Sequence, residues 1–110
     1  MVLVAFPYDD LIHYKLRPAL IVQADGLDID YDVQLVAMIT SRLHRVGSTR
    51  IRVDVGSETG QLMGLRQDSL IVVDRIAMVQ SREIQRNLGR CAIMSSVDRA
   101  LRIAFGLDLA

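Results

Sequence analysis

The sequence is poor in several residue types, and each shortage excludes a class of protein. Its 110 residues include no tryptophan, one cysteine and two prolines. The single cysteine, Cys91, cannot form an internal disulfide and belongs to no cysteine cluster that would bind a metal. No apolar run approaches the roughly 18 residues that a membrane-spanning helix needs, and no basic segment precedes the apolar start, as in a signal peptide. We therefore expect a soluble cytoplasmic protein with no membrane partner, no metal and no cofactor.

The charges cancel in total but are separated along the chain. There are 13 lysines and arginines against 13 acids, which argues against a uniformly basic nucleic-acid-binding surface. Residues 25–32 contain aspartates and no cation, whereas residues 42–52 contain arginines and no acid. A local group of arginines can bind phosphate even when the whole protein is neutral. The alternative interpretation of residues 42–52 is a solvated loop.

The length and the 51% hydrophobic content predict one domain over residues 1–110, with one packed core. Short runs of aliphatic and β-branched residues predict strands at 2–7, 18–22, 33–40 and 51–55. Residues 69–73 and 76–79 predict either one long strand that bends at Asp74-Arg75 or two consecutive strands. A loop that could contain a short paired segment is expected over 56–67, a helical turn over 81–85 and a last short strand over 88–93. Several short strands at this spacing favour a small, strongly bent antiparallel barrel or sandwich.

One convincing helix is predicted at the C-terminus. Ser95 can cap it, Asp98 follows at the capping-box spacing, and Gly106 can end it. Its apolar stripe consists of Val97, Ala100, Leu101, Ala104 and Phe105. The predicted class is therefore mainly β (α+β), which by itself fixes no function.

Five segments occur in an order that is informative beyond fold class. They are VLVAFPYDDLIHYKLRPALIV at 2–22, LVAMITSR at 35–42, GLRQDSLIVVDRIAMV at 64–79, LGR at 88–90 and VDRALRIAFGL at 97–107. The most specific part is the Arg17-Pro18 pair that opens an aliphatic run, followed by Ile39-Thr40-Ser41 and then by Asp68-Ser69 and Asp74. Together the segments resemble the MazF/PemK family of toxins from bacterial type II toxin–antitoxin pairs.

The resemblance implies an SH3-like barrel with a C-terminal helix, a homodimer, and an endoribonuclease that cuts single-stranded RNA without a metal and is neutralised by a cognate antitoxin. It also implies that Arg17 and Thr40 are the catalytic pair. Their chemistry is compatible, because a guanidinium can neutralise charge on a phosphate and a hydroxyl can donate to it. Without the resemblance, Arg17 would be interpreted as the ion-pair partner of Asp9 or Asp10, and the Thr40 hydroxyl as bonded to backbone.

Other side chains are candidates for supporting roles. His13, in the loop before Arg17, could act as a general acid or base, or could be a solvated loop residue. Asp74 matches an acidic position of the family's strand motif and could orient Arg17, contact RNA or simply pair with Arg75. Cationic and hydroxyl side chains expected to contact RNA are Lys15, Ser41, Arg42, His44, Arg45, Arg50, Arg52 and Arg75.

Two alternative functions remain compatible with the sequence. One is a non-catalytic, toxin-like binding protein on the same barrel, because the sequence starts inside the first strand, where family members usually have several more residues, and because Ala77 stands where the family commonly has an arginine. The other is a gyrase poison of a related barrel type. Such proteins use a C-terminal tryptophan, and this chain has none.

Overall fold

The computed structural model describes residues 1–7, 14–24 and 32–107, and its largest feature is a six-stranded antiparallel sheet. The strands are β1 (Val2–Pro7), β2 (Tyr14–Ile21), β3 (Val33–Thr40), β4 (Arg50–Val53), β5 (Ser69–Gln80) and β6 (Ile84–Asn87). Their spatial order is β4-β5-β3-β2-β1-β6. The mainly β class with a C-terminal helix is confirmed. The edge strands β4 and β6 do not pair with each other within the described part of the chain, so the sheet is bent but open rather than a closed barrel.

Strand β5 contains the predicted bend. On one side of the bend Met38 pairs with Val72, and on the other Ala37 pairs with Ile76, so residues 73–75 have no partner on β3. Such extra residues form a bulge, which bends a strand and increases its twist. The bulge exposes Asp74 beside the loop that precedes β4.

Strand β2 begins earlier than the sequence indicated. Its first residues pair with β1, from Pro7 with Tyr14 to Val4 with Arg17, and this pairing extends the strand through a polar segment. Arg17 therefore lies within a strand and not in the loop before it. Strand β1 and strand β3 have the predicted bounds.

Two helices flank the sheet: α1 (Glu58–Met63) and α2 (Met94–Ala104), and a 3₁₀ turn covers Ser81–Glu83. The predicted loop over 56–67 is wrong, because α1 lies within it. The hydroxyl of Ser57 caps α1 by accepting the Gly60 N–H at 3.0 Å, and Gly64 ends it at φ 84°. Glycine is a poor helix former, but a Cβ at Gly60 would overlap the carbonyl oxygen of Asp54.

The strand predicted over 88–93 is also wrong, since the last strand is β6, which precedes it. Residues 88–93 pack instead on the end of α1. The Arg90 N–H donates to the Leu62 carbonyl at 2.9 Å, and a Cβ at Gly89 would overlap that same carbonyl oxygen. The backbone of this segment is therefore bonded to a helix end and, at Leu88 and Gly89, to Met1, and it does not form a strand.

Helix α2 starts without the predicted cap. Ile93 occupies the N-cap position with no side-chain bond, and Ser95 lies inside the first turn. Ile93 packs against the core, so apolar contact fixes this start in place of a capping hydroxyl. Gly106 follows the helix at φ 72°, as predicted. Neither helix of the described residues is long and apolar enough to cross a membrane.

The sheet has an apolar cluster on each face. The first cluster joins Leu20, Ala37 and Ile71 to Met63 of α1 and to the α2 side chains Val97 and Ala100. The second consists of Val2, Val4, Ala19, Val36 and Val79. The α2 stripe is only partly buried, because Phe105 at its end is 67% exposed. These two clusters identify which face each strand residue occupies.

Candidate active-site cleft

A cleft of about 1040 Å³ opens where strands β2 and β3 part. The last pair between them at this end is Ala19 with Met38, although β2 continues back to Tyr14 and β3 continues on to Thr40. Pro18 has no N–H to donate, which removes a ladder hydrogen bond at the point of divergence. Segments that are distant in sequence, including 15–18, 38–42 and 64–67, line the cleft.

The lining of the cleft is strongly cationic. Its described residues include no Asp or Glu, and its lysine and arginines are Lys15, Arg17, Arg42, Arg45, Arg50, Arg66, Arg75 and Arg86. Within the part of the chain that the structure describes, only Arg50 of this set forms an ion pair. Unpaired guanidinium groups that converge on one cleft create a positive potential and can bind phosphate through paired N–H donors.

Arg17 and Thr40 lie on the same face of the sheet. Arg17 pairs with Val4, which belongs to the second core cluster, and Thr40 has the same strand parity as Val36 of that cluster. The Ala19–Met38 register, continued by two residues, sets Arg17 opposite Thr40 across the divergence. Thr40 Oγ1 accepts the backbone N–H of Arg42 at 3.1 Å, so the hydroxyl proton remains available to another acceptor.

Asp74 is bonded to Arg50 and Thr49, and not to Arg17. Arg50 Nε and Nη2 each lie 3.2 Å from a different oxygen of the Asp74 carboxylate, and Thr49 Oγ1 donates to Oδ2 at 2.8 Å. These hydrogen bonds, that of Arg50 first, outweigh burial and hold the pKa of Asp74 below its ordinary value. The charge of Arg75 contributes only the smallest part of this lowering. Asp74 thus lies outside the cleft and fixes the position of Arg50, which lines it.

Comparison with known proteins identifies the family. The family model of PemK-like, MazF-like toxins of type II toxin–antitoxin systems matches residues 1–105. The chain belongs to this family. No curated protein matches its sequence.

Solved structures share the fold of this PemK/MazF-like toxin. The Mycobacterium tuberculosis toxin MazF-mt6 has a TM-score of 0.72 and 24% identity, over 98% of this chain and 99% of that one. An endoribonuclease from a mycobacterial species, in complex with its cognate antitoxin, has a TM-score of 0.71 and 21% identity, over 98% and 95%. A further M. tuberculosis toxin reaches 26% identity over 82% and 89%, with a TM-score of 0.60. The whole described chain therefore has the fold of these toxins.

Most of the candidate residues predicted for this PemK/MazF-like toxin line the one cleft. Besides Arg17 and Thr40 they are Lys15, Ser41, Arg42, His44, Arg45, Arg50 and Arg75. Asp74 does not line it, and His13 lies outside the described residues. Arg52, which was also expected to line the RNA path, does not line the cleft and is bonded to Asp54 and Asp68. Arginines that are neighbours in the sequence are therefore separated in the structure, with Arg50 in the cleft and Arg52 outside it.

Sequence reasoning missed Arg66, Gln67 and Arg86, which line the cleft of this toxin. Arg66 and Gln67 are part of the 64–79 segment that carries the resemblance, but their residue types alone gave no signal. Arg86 belongs to β6, whose position was not predicted. Among the residues that the structure describes, no group of three or more His, Cys, Asp and Glu side chains could hold a metal ion.

Proposed function

We propose that this PemK/MazF-like chain is an endoribonuclease toxin that cleaves single-stranded RNA in the cleft, and that a cognate antitoxin neutralises it. The observation that carries the proposal is that Arg17 and Thr40 project from the same face of the sheet into one cleft. The lining of this cleft contains one lysine, seven arginines and no described acid. The mycobacterial endoribonuclease that shares the fold was solved with its cognate antitoxin, which supports both parts. The proposal includes a homodimer, which sedimentation equilibrium of the purified chain would test.

The proposed reaction needs no metal. The RNA 2′-hydroxyl attacks the adjacent phosphorus, the bond from phosphorus to the 5′-oxygen breaks, and the products are a 2′,3′-cyclic phosphate and a 5′-hydroxyl. The proton lost by the 2′-oxygen is balanced by one gained by the 5′-oxygen. Arg17 neutralises charge that develops on the non-bridging oxygens, and the Thr40 hydroxyl donates to one of them. A preorganised donor of this kind contributes about 10² to 10³ in rate.

Proton transfer is assigned to His13 rather than to Asp74. Asp74 accepts hydrogen bonds from Arg50 and Thr49, and its pKa is lowered, so it is a weak base. An unperturbed histidine titrates near pH 6.5 and suits proton transfer near neutrality. Replacement of His13 by alanine should then flatten the acidic or the basic limb of the pH–rate profile. Asp74→Asn should leave the slopes of both limbs unchanged.

The test is cleavage of single-stranded RNA in EDTA by the purified protein. Wild-type protein should leave 2′,3′-cyclic phosphate ends, and Arg17→Ala and Thr40→Val should each lower the rate by about 10² to 10³. Arg99→Ala is the matched control, because Arg99 is exposed on α2 and does not line the cleft. Intact RNA after incubation with wild type, or equal cleavage by Arg17→Ala, would contradict the proposal.

The alternative of a non-catalytic binding protein rested in part on Ala77. In the structure Ala77 pairs with the buried Val36 and packs against the second core cluster, outside the cleft. The replacement of an arginine there therefore removes no cation from the cleft lining, to which Arg75 contributes. Expression that stops growth, with the effect abolished by Thr40→Val, would exclude the binding-only function.

A further inference from the structure

Part of the cleft lies on the face of the sheet opposite to that from which Arg17 projects. Leu3 pairs with Pro18 on β2 and with Arg86 on β6, so these three residues form one row across three strands. Directly paired residues of antiparallel strands project from the same face. Arg17 pairs with the next residue, Val4, and therefore projects from the opposite face. We call the part of the cleft lined by Leu3, Pro18, Arg66, Arg86 and Leu88 the distal lobe.

The distal lobe combines two unpaired cations with an apolar floor. Arg66 and Arg86 are exposed, and within the described ranges neither has an ion-pair partner. Leu3, Pro18 and Leu88 are half-buried. Guanidinium groups bind phosphate oxygens through two parallel N–H donors, and apolar side chains exclude water from the flat face of a base. The lobe can therefore bind both parts of a nucleotide: its arginines bind the phosphate, and its apolar side chains pack against the base.

The two arginines are carried by segments that pack tightly against each other. Gly64, just before the Arg66 segment, has φ 84°, and a Cβ there would overlap the carbonyl oxygen of Leu88. The Leu65 N–H donates to the Gly60 carbonyl at 3.0 Å, and the Leu88 N–H to the Met1 carbonyl at 2.8 Å. The backbone beneath each arginine is therefore fixed, which lowers the entropy cost of ordering the lobe around a ligand.

We propose that the distal lobe binds a second phosphate of the RNA strand, together with its base, further along the strand from the phosphate that is cleaved. The backbones of Arg17 and Arg86 lie two strand spacings apart, or about 10 Å, and their side chains leave opposite faces of the sheet. One phosphate is too small to engage both, so the lobe takes a nucleotide further along the strand. The assignment rests on the proposed function, since it takes single-stranded RNA as the substrate.

The test measures binding of an uncleavable strand, so that it does not depend on activity. The probe is an eight-nucleotide, fully 2′-O-methylated RNA of mixed sequence, followed by fluorescence anisotropy at several salt concentrations. The variant Arg66→Gln/Arg86→Gln is compared with Arg82→Gln/Arg99→Gln, which removes the same charge from exposed arginines outside the cleft. The distal-lobe variant should bind about tenfold more weakly, and its slope of log K against log salt should fall in magnitude by about 0.7, the value for one phosphate that is no longer neutralised.

The control variant should keep the wild-type slope. With cleavable RNA, the distal-lobe variant should raise KM and keep kcat, because the lobe lies away from the cleaved bond. Equal binding by the two double variants overturns the inference, even if wild type cleaves RNA and the proposed function stands. Selective loss of binding by the distal-lobe variant supports it, even if no cleavage occurs and the proposed function fails. Unchanged RNA binding with lost binding of a polyglutamate peptide would assign the lobe to an acidic protein segment and also overturn the inference.

Discussion

Replacing Asp74 with asparagine is expected to loosen the segment that presents Arg50 to the cleft. The carboxylate receives two bonds of 3.2 Å from Arg50 and one of 2.8 Å from Thr49. The Val73 N–H adds a 3.0 Å bond to the Thr49 carbonyl, so the base of the loop is attached to the bulge of β5 at several points. Asparagine keeps one acceptor oxygen but loses the charge and the two-oxygen geometry.

The size of the effect follows from the exposure of the pair. The Arg50 side chain is 16% exposed and that of Asp74 36%. Exposed ion pairs contribute about 0.2–1 kcal/mol, and hydrogen bonds to charged groups about 1.5–3 kcal/mol. With Asp74 partly solvated and one acceptor retained in the variant, we expect the free energy of unfolding to fall by about 1 kcal/mol at neutral pH.

The pH dependence gives a second, independent readout. The pKa of Asp74 is lower in the folded protein than its ordinary value of 3.8, so the folded state favours the charged form. Its stabilisation is therefore fully present above the unfolded pKa and is lost as the pH falls through the folded pKa. The stability difference between wild type and Asp74→Asn should stay constant above about pH 5 and shrink below about pH 4.

Urea unfolding followed by far-ultraviolet circular dichroism measures this difference, with Asp98→Asn as the control. Asp98 is an exposed carboxylate on α2 for which the structure gives no bonded partner among the described residues. The control should leave the unfolding midpoint unchanged. Equal midpoints for Asp74→Asn and wild type at neutral pH, or a difference that persists at pH 3, would refute the assignment of Asp74 as the anchor of Arg50.

Three further substitutions test the core and the site. Gly60→Ala should destabilise the protein, although alanine is about 1 kcal/mol better in helices, because its Cβ would overlap the Asp54 carbonyl; urea unfolding decides which effect wins. Val97→Ala should cost about 2 kcal/mol, since Val97 is 0% exposed in the first cluster, and the thermal midpoint should fall accordingly. Thr40→Ser should keep most of the RNA cleavage that Thr40→Val loses, because serine retains the hydroxyl donor; a cleavage assay that separates neither variant from wild type would remove Thr40 from the mechanism.

The strands could be predicted where apolar residues mark them directly. Strands β1 and β3 match the predicted bounds, and the interruption at Asp74-Arg75 gave the bend of β5 correctly. Helix α1 could not be predicted, because glycine at position 60 is selected by a close backbone contact and not by helix propensity. A contact of this kind joins residues only after the chain has folded.

The candidate site was predictable in its chemistry but not in its geometry. The family resemblance selected Arg17 and Thr40, and the structure brings both to one cleft on one face. That Asp74 bonds to Arg50, and not to Arg17 or Arg75, depends on the bulge in β5 and on its contact with Thr49. Local sequence contains no information about which arginine a distant carboxylate will meet.

The formal charge shows most clearly how the fold changes what a sequence pattern implies. The chain has 13 cations and 13 acids, yet eight of the cations and no described acid line the cleft. The basic stretch at 42–52 supplies only part of this set, since β2, the α1–β5 connection, the β5 bulge and β6 supply the rest, and Arg52 is bonded elsewhere. Because screening acts on local charge over about 10 Å and not on the molecular total, RNA affinity should fall steeply with salt in a protein whose net charge is zero.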